Sequence, residues 1–191
     1  MAVEIISSDL ITAYKNKQRV RSMNSGGTLL CSYATNTDTF MNKDNGSVLH
    51  VSLIPVSSII DHIDICFSDK ITDEQGILSI GFYGINQSGD FVDIQKDAFG
   101  AIKLGGLDAG ESFTIIPKHQ NFGKTVYETL CNNNIPIEKF EPFKNCENVV
   151  LSFTIQTKND TTNPQTCLIS VRYINGSPST TSLTSLTIDK E

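Results

Sequence analysis

The chain has 191 residues, of which 39% are hydrophobic and only 19% charged, with a net charge of −6. That is long enough for one domain with a buried core, and its Ser, Thr, Asn and Gly content suits an all-β protein better than a helical enzyme. The acidic balance argues against generic nucleic-acid binding, and no apolar run approaches the roughly 18 residues that cross a bilayer. Five cysteines (Cys31, Cys66, Cys131, Cys146, Cys167) form no C-x-x-C pair, which argues for free thiols in a reducing compartment.

Residues 1–27 read as an N-terminal arm. The opening MAVEIISSDL carries Glu4 and Asp9 and lacks the basic start of a secretory signal. SSDLITAYKNK begins a short helix capped by Ser7 or Ser8. It runs into Lys15, Lys17, Arg19 and Arg21 and stops at Asn24-Ser25-Gly26-Gly27. Strand-like blocks follow at 28–34 and, after an Asn45-Gly46 turn, at 47–54. The block at 59–67 sets Ile63, Ile65 and Phe67 on one face, opposite His62 and Asp64. The next, at 77–84, turns Leu78, Ile80 and Phe82 inward. Loop 86–90 then joins it to a hairpin partner at 91–94. Residues 112–117 form another short strand, and 123–131 form one or two helical turns.

The clearest pattern closes the chain. Val149, Leu151, Phe153 and Ile155 fall on one face, opposite Val150, Ser152, Thr154 and Gln156, and Cys167, Ile169, Val171 and Tyr173 alternate with Leu168, Ser170, Arg172 and Ile174. A period of two marks a pleated strand with one dry face. The intervening KNDTTNPQT, rich in turn formers, predicts a long hairpin. The sum is about eight antiparallel strands at roughly ten-residue intervals, an all-β, jelly-roll-like β-sandwich over residues 28–175. Residues 176–191 form a Ser/Thr-rich C-terminal tail that would be flexible on its own.

Catalytic and metal chemistry finds little support. Of the histidines, His50 and His62 lie in strand patterns and His119 in a loop, none with a second ligand at metal spacing. No nucleophile elbow, zincin, P-loop or dinucleotide motif occurs. Gly-rich GAIKLGGLDAGE (100–111) lacks the Gly-Lys-Ser/Thr ending of a phosphate loop and reads as a wide turn. The acidic loops (Asp69, Asp73, Glu74; Asp90, Asp93, Asp97) lack calcium-loop spacing and read as solvated turns. The sequons at Asn45, Asn86, Asn159 and Asn175 read as turn chemistry. Cys31, Cys66 and Cys167 read as small apolar fillers of strands. With no Trp and five Tyr, material for a sugar-stacking groove is thin. The one basic concentration, Lys15, Lys17, Arg19 and Arg21, suits docking onto an acidic protein surface or nucleic acid.

The succession KNKQRVRS (15–22), VLHVSLIPVSSIIDHIDI (48–65), LSIGFYGINQSGDFVDI (78–94), VYETL (126–130) and ISVRYI (169–174) resembles small β-sandwich virion proteins of tailed bacteriophages. These are of the head decoration, cement or head-completion type. The resemblance covers roughly residues 10–175. It implies a structural virion protein, assembled in the host cytoplasm, that binds the capsid surface as a stabilising auxiliary protein. Its expected partners are the major capsid protein or other virion proteins, often with self-association into a homo-oligomer. It further implies no enzymatic activity; from the residues themselves no cofactor, metal or membrane is expected, and Lys15, Lys17, Arg19 and Arg21 are the expected docking residues. The alternatives are a lectin-like or receptor-binding module of a tail or fibre and, third, a hydrolase on a jelly-roll fold.

Overall fold

The computed structural model describes residues 5–7, 11–12, 23–24, 29–36, 40–71, 76–86, 88–117, 121, 123–132, 148–158 and 166–174. Strands form where side chains alternate: β1 (Ile5–Ser7), β2 (Met23–Asn24), β3 (Leu29–Asn36), β4 (Val48–Pro55), β5 (Ile59–Phe67), β6 (Ile77–Ile85), β7 (Phe91–Gln95), β8 (Ala101–Lys103), β9 (Ser112–Ile115), β10 (Asn148–Thr157) and β11 (Cys167–Ile174). Among the described residues, α1 (Val126–Asn132) and a 3-10 turn (Phe40–Asn42) join them, and residues 11–12 are helical. The expected all-β class holds. Three short strands, β1, β2 and β8, add to those legible in the sequence. The arm (1–27) and the tail (176–191) lie almost entirely outside the described residues.

Two sheets face each other. In one, called here the first sheet, β1-β4-β10-β6-β7 are neighbours and β8 also pairs with β6; in the second the order is β2-β3-β11-β5-β9. Every pairing is antiparallel except that of β1 with β4. One core cluster joins inward residues of both sheets, among them Leu49, Ile80, Phe82, Leu151 and Phe153 from the first and Ile63, Ile65, Ile169 and Val171 from the second. Burying so much apolar side chain is what holds the layers together.

The predicted terminal hairpin does not form. β10 pairs with β4 and β6, whereas β11 pairs with β3 and β5 in the other sheet. The loop between them crosses from sheet to sheet, and the two dry faces meet across the core instead of lying side by side. A period of two specifies which face is dry, and an arch satisfies it as well as a hairpin does. The β6–β7 hairpin does form. Its loop is closed by Asn86, whose backbone N–H donates to the Asp90 carbonyl and whose side-chain oxygen accepts from the Asp90 N–H (3.0 and 2.8 Å).

Register shifts interrupt four of the ladders, and those on β4 and β5 re-phase what faces the core. Leu151 pairs with Ser52 but Ser152 with His50, so Val51 is the extra residue on β4, and Leu49, Val51 and Ile54 all reach the core. On β5, Arg172 faces His62 and Tyr173 faces Ile60, leaving Asp61 extra. Ile60, Ile63, Ile65 and Phe67 are therefore all buried. A bulge adds one residue and shifts the alternation by one face.

Helix α1 closes one end of the sandwich and carries a reciprocal capping box. The Glu128 N–H donates to the Thr125 hydroxyl (3.1 Å), and the Glu128 carboxylate accepts from the Thr125 N–H (2.8 Å), satisfying amides that a helix start leaves unpaired. The Val126 and Tyr127 N–H groups donate to the carbonyls of Ser58 and Val56, which ties the helix to the β4–β5 connection. Val126 and Leu130 then face the core.

Candidate functional site

The two outer faces differ in kind. On the first sheet, His50, Ser152 and Gly81 form one row across β4, β10 and β6. His50 and Ser152 are fully buried, and Nδ1 of His50 lies 2.7 Å from the Ser152 hydroxyl. The His50 ring stacks on Phe91 (centroids 3.8 Å apart) and meets Tyr83 edge-on (5.0 Å). Small residues at 81 and 152 leave room for those rings. Burial, above all, holds the Tyr83 hydroxyl above its ordinary range; the Thr154 hydroxyl opposes the rise and the Asp93 carboxylate adds to it. A serine bonded to a histidine is the pairing a hydrolase uses. Here both members are sealed from solvent, so the pair is structural.

The outer face of the second sheet is half-buried at its centre and exposed along its rim. The bulge at Asp61 brings Asp61, His62 and Asp64 together, although a regular strand would set Asp61 on the opposite side from the other two. Nδ1 of His62 lies 2.7 Å from Asp61 and Nε2 lies 3.3 Å from Asp64. Thr114 on β9 donates its hydroxyl to Asp64, and Arg172 and Ser170 on β11 are the cross-strand partners of His62 and Asp64. With both ring nitrogens engaged by carboxylates, His62 has neither left for a substrate. Exposed aliphatic side chains flank this polar cluster: Leu168 (48% exposed) and Ile174 (37%) on β11, and Ile116 (62%) just beyond β9. A charged centre rimmed by apolar groups suits protein contact better than catalysis.

Below α1 lies a cleft lined by Ile60, Phe82, Phe99, Pro117 and Val126, with Asn121, Lys124 and Thr129 as its polar wall. It has room for about one water molecule, too little for a substrate or cofactor. The Gly-rich stretch 100–111 is not one wide turn: it holds β8 and then the connection to β9 in the other sheet, and the amides of Gly100, Gly106 and Gly110 are spent internally. Gly106 donates to the Ile71 carbonyl and Gly110 to that of Phe67, which removes the phosphate-loop reading.

The sequence-predicted docking residues Lys15, Lys17, Arg19 and Arg21 lie outside the described residues, as do His119 and Cys146. Cys167 fills the core as expected, but Cys66 is half-buried on the outer face of the second sheet rather than in the core; the side chain of Cys31 is not among those described. Asn45 and Asn86 serve as turn residues, Asn45 accepting from the Lys158 N–H (3.0 Å). Among the described residues no group of three or more His, Cys, Asp or Glu side chains is placed to hold a metal ion, and no helix is long and apolar enough to cross a membrane. Sequence reading missed the Asp61–His62–Asp64 cluster and the exposed edge at β9. The run Asp-His-Ile-Asp was visible, but only the bulge gathers it onto one face.

No protein-family model and no curated protein matches the sequence. Among solved structures, a chain from the capsid of Ralstonia phage GP4 superposes with a TM-score of 0.58 at 11% identity, over 91% of this chain and 99% of that one. This is a likeness of fold. A chain from the acid-stable capsid of Helicobacter pylori bacteriophage KHP30 (12% identity, 82% of this chain and 94% of that one) and one from the cyanophage Pam1 capsid (15%, 83% and 94%) both give 0.41. At that score neither supports a shared fold.

Proposed function

We propose that the protein is a structural virion protein of a tailed phage, bound to the capsid surface as an auxiliary, stabilising protein. The observation that carries this reading is the fold likeness to the chain from the capsid of Ralstonia phage GP4 over nearly the whole of both chains. The wiring supports it. Setting aside β1, β2 and β8, the sheets run β3-β11-β5-β9 and β4-β10-β6-β7, so the first and last of the eight strands are neighbours, as in a jelly roll. The mechanism is binding alone: a mixed polar and aliphatic sheet face and free strand edges meet neighbouring virion proteins, burying apolar area and adding main-chain pairing.

Lys15, Lys17, Arg19 and Arg21 are the proposed electrostatic contacts to an acidic capsid patch. Reversing their charge is expected to weaken particle binding in a salt-sensitive way. The exposed large apolar side chains of the described residues are aliphatic, which suits packing against protein rather than stacking on sugar rings. The decisive experiment is quantitative mass spectrometry of purified particles, scored as copies of this protein per major capsid subunit. Copies in icosahedral proportion support the proposal. A dozen or fewer would move the protein to the neck or tail, and absence from particles would overturn the reading.

A further inference from the structure

The edge of the second sheet carries an inference about self-association that does not depend on where the protein resides. β9 is the last strand of that sheet. It pairs on one side with β5, Ile63 facing Ile115 and Asp64 facing Thr114. Beyond that ladder no protein hydrogen bond reaches the backbone of residues 112–116. One row of main-chain donors and acceptors is thus left to water or to another strand.

Edge strands are ordinarily blunted by charge, proline or a bulge. On the first sheet, the β7/β8 edge carries Asp93 and Lys103. The β9 edge, Ser-Phe-Thr-Ile-Ile, carries no charge from 112 to 116 and no bulge against β5. Its side chains alternate cleanly, with Ile115 buried, Ser112 and Thr114 exposed, and Ile116 at 62% the most exposed large apolar residue described.

We propose that two copies of this chain pair β9 to β9, antiparallel, about a two-fold axis at Thr114. An antiparallel ladder has that symmetry built in, so a free edge fits its own copy when its side chains allow. Here they do. Thr114 meets the second copy's Thr114, a favourable cross-strand pair, and Ile116 covers the second copy's Ser112. Charge selects the same edge. A chain of net charge −6 repels its copy over most of its surface, and least along an uncharged strand. The nearest carboxylates are that of Asp64, on β5 but hydrogen-bonded to the Thr114 hydroxyl, and that of Glu111, which directly precedes the strand. The contact is short, so the dimer is weak in solution, in the micromolar range or weaker.

The test is sedimentation velocity of the full chain over about a hundredfold range of concentration, with Ile116→Lys and Leu168→Lys as variants and circular dichroism confirming that each stays folded. The expected result is a concentration-dependent dimer that Ile116→Lys weakens at least tenfold and Leu168→Lys leaves intact. In a Cys131→Ser background, Thr114→Cys should cross-link copy to copy on oxidation. A chain that is monomeric at every concentration overturns the proposal. So does a dimer that survives Ile116→Lys, or one lost only with Leu168→Lys, which would put the interface on the outer face of the sheet. The purified protein is used alone, so these outcomes are separate from whether it is found on particles.

Discussion

Gly81 owes its lack of a side chain to Gln95: a Cβ at position 81 would run into the Gln95 carbonyl oxygen and the backbone of the two residues after it. β7 and β8 both pair along β6, one after the other, and the excursion between them passes over Gly81. That excursion returns to the ladder where the Phe99 N–H donates to the Ile80 carbonyl (2.9 Å), and it buries Ala98 and Phe99 in the core. Phe99 meets Phe82 there, with ring centroids 5.7 Å apart.

Gly81→Ala should therefore destabilise the fold by about 1–3 kcal/mol or more, the range for overpacking against something that cannot rotate away. Chemical denaturation measures it. A loss below about 0.5 kcal/mol would mean that the 95–97 backbone shifts freely.

Ser152→Ala removes the buried partner of the His50 ring and should cost about 1–3 kcal/mol. The double variant His50→Phe/Ser152→Ala should recover part of that, since replacing both members by apolar groups is close to neutral. A double-mutant cycle reads the coupling; additive losses would show that the bond contributes nothing.

Stability above pH 10 should depend on Tyr83. Its hydroxyl is held above the ordinary value of 10.0, mainly by burial, so the folded state keeps this proton more tightly than the unfolded chain does. Its contribution is complete below pH 10 and is lost as pH rises through the folded value. Unfolding followed on both sides of pH 10 should show a shallower alkaline decline for Tyr83→Phe than for the parent chain. Parallel declines would exclude this tyrosine as the cause.

Asn121 is 2% exposed, and neither atom of its carboxamide has a protein partner. Exchanging it for a leucine of similar size, Asn121→Leu, should be neutral or raise stability by about 1 kcal/mol, seen as an unchanged or higher Tm. A clear drop in Tm would mean that the carboxamide is satisfied in solution.

Much of the fold was legible because side-chain alternation is a local property. Ile63, Ile65 and Phe67 were expected on one face and are buried together, as are Leu78, Ile80 and Phe82. The helical turns expected over 123–131 form as α1, Val126–Asn132. Less legible was anything set by one residue of register. Ile60 joins the core, and Asp61 joins His62 and Asp64, only because Asp61 is the extra residue of a bulge, and no local propensity marks it.

By itself, then, the sequence determined the eight longer strands, most of their dry faces and an acidic chain without a catalytic or metal motif, since each depends on neighbours a few residues apart. Only the tertiary structure decided which strands share a sheet, that β10 and β11 oppose one another across the core, that Ser152 and His50 meet in a sealed layer, and that β9 is left with an open edge. These depend on contacts between residues far apart in the chain, and an alternating pattern is equally satisfied by either side of a sheet and by either neighbour.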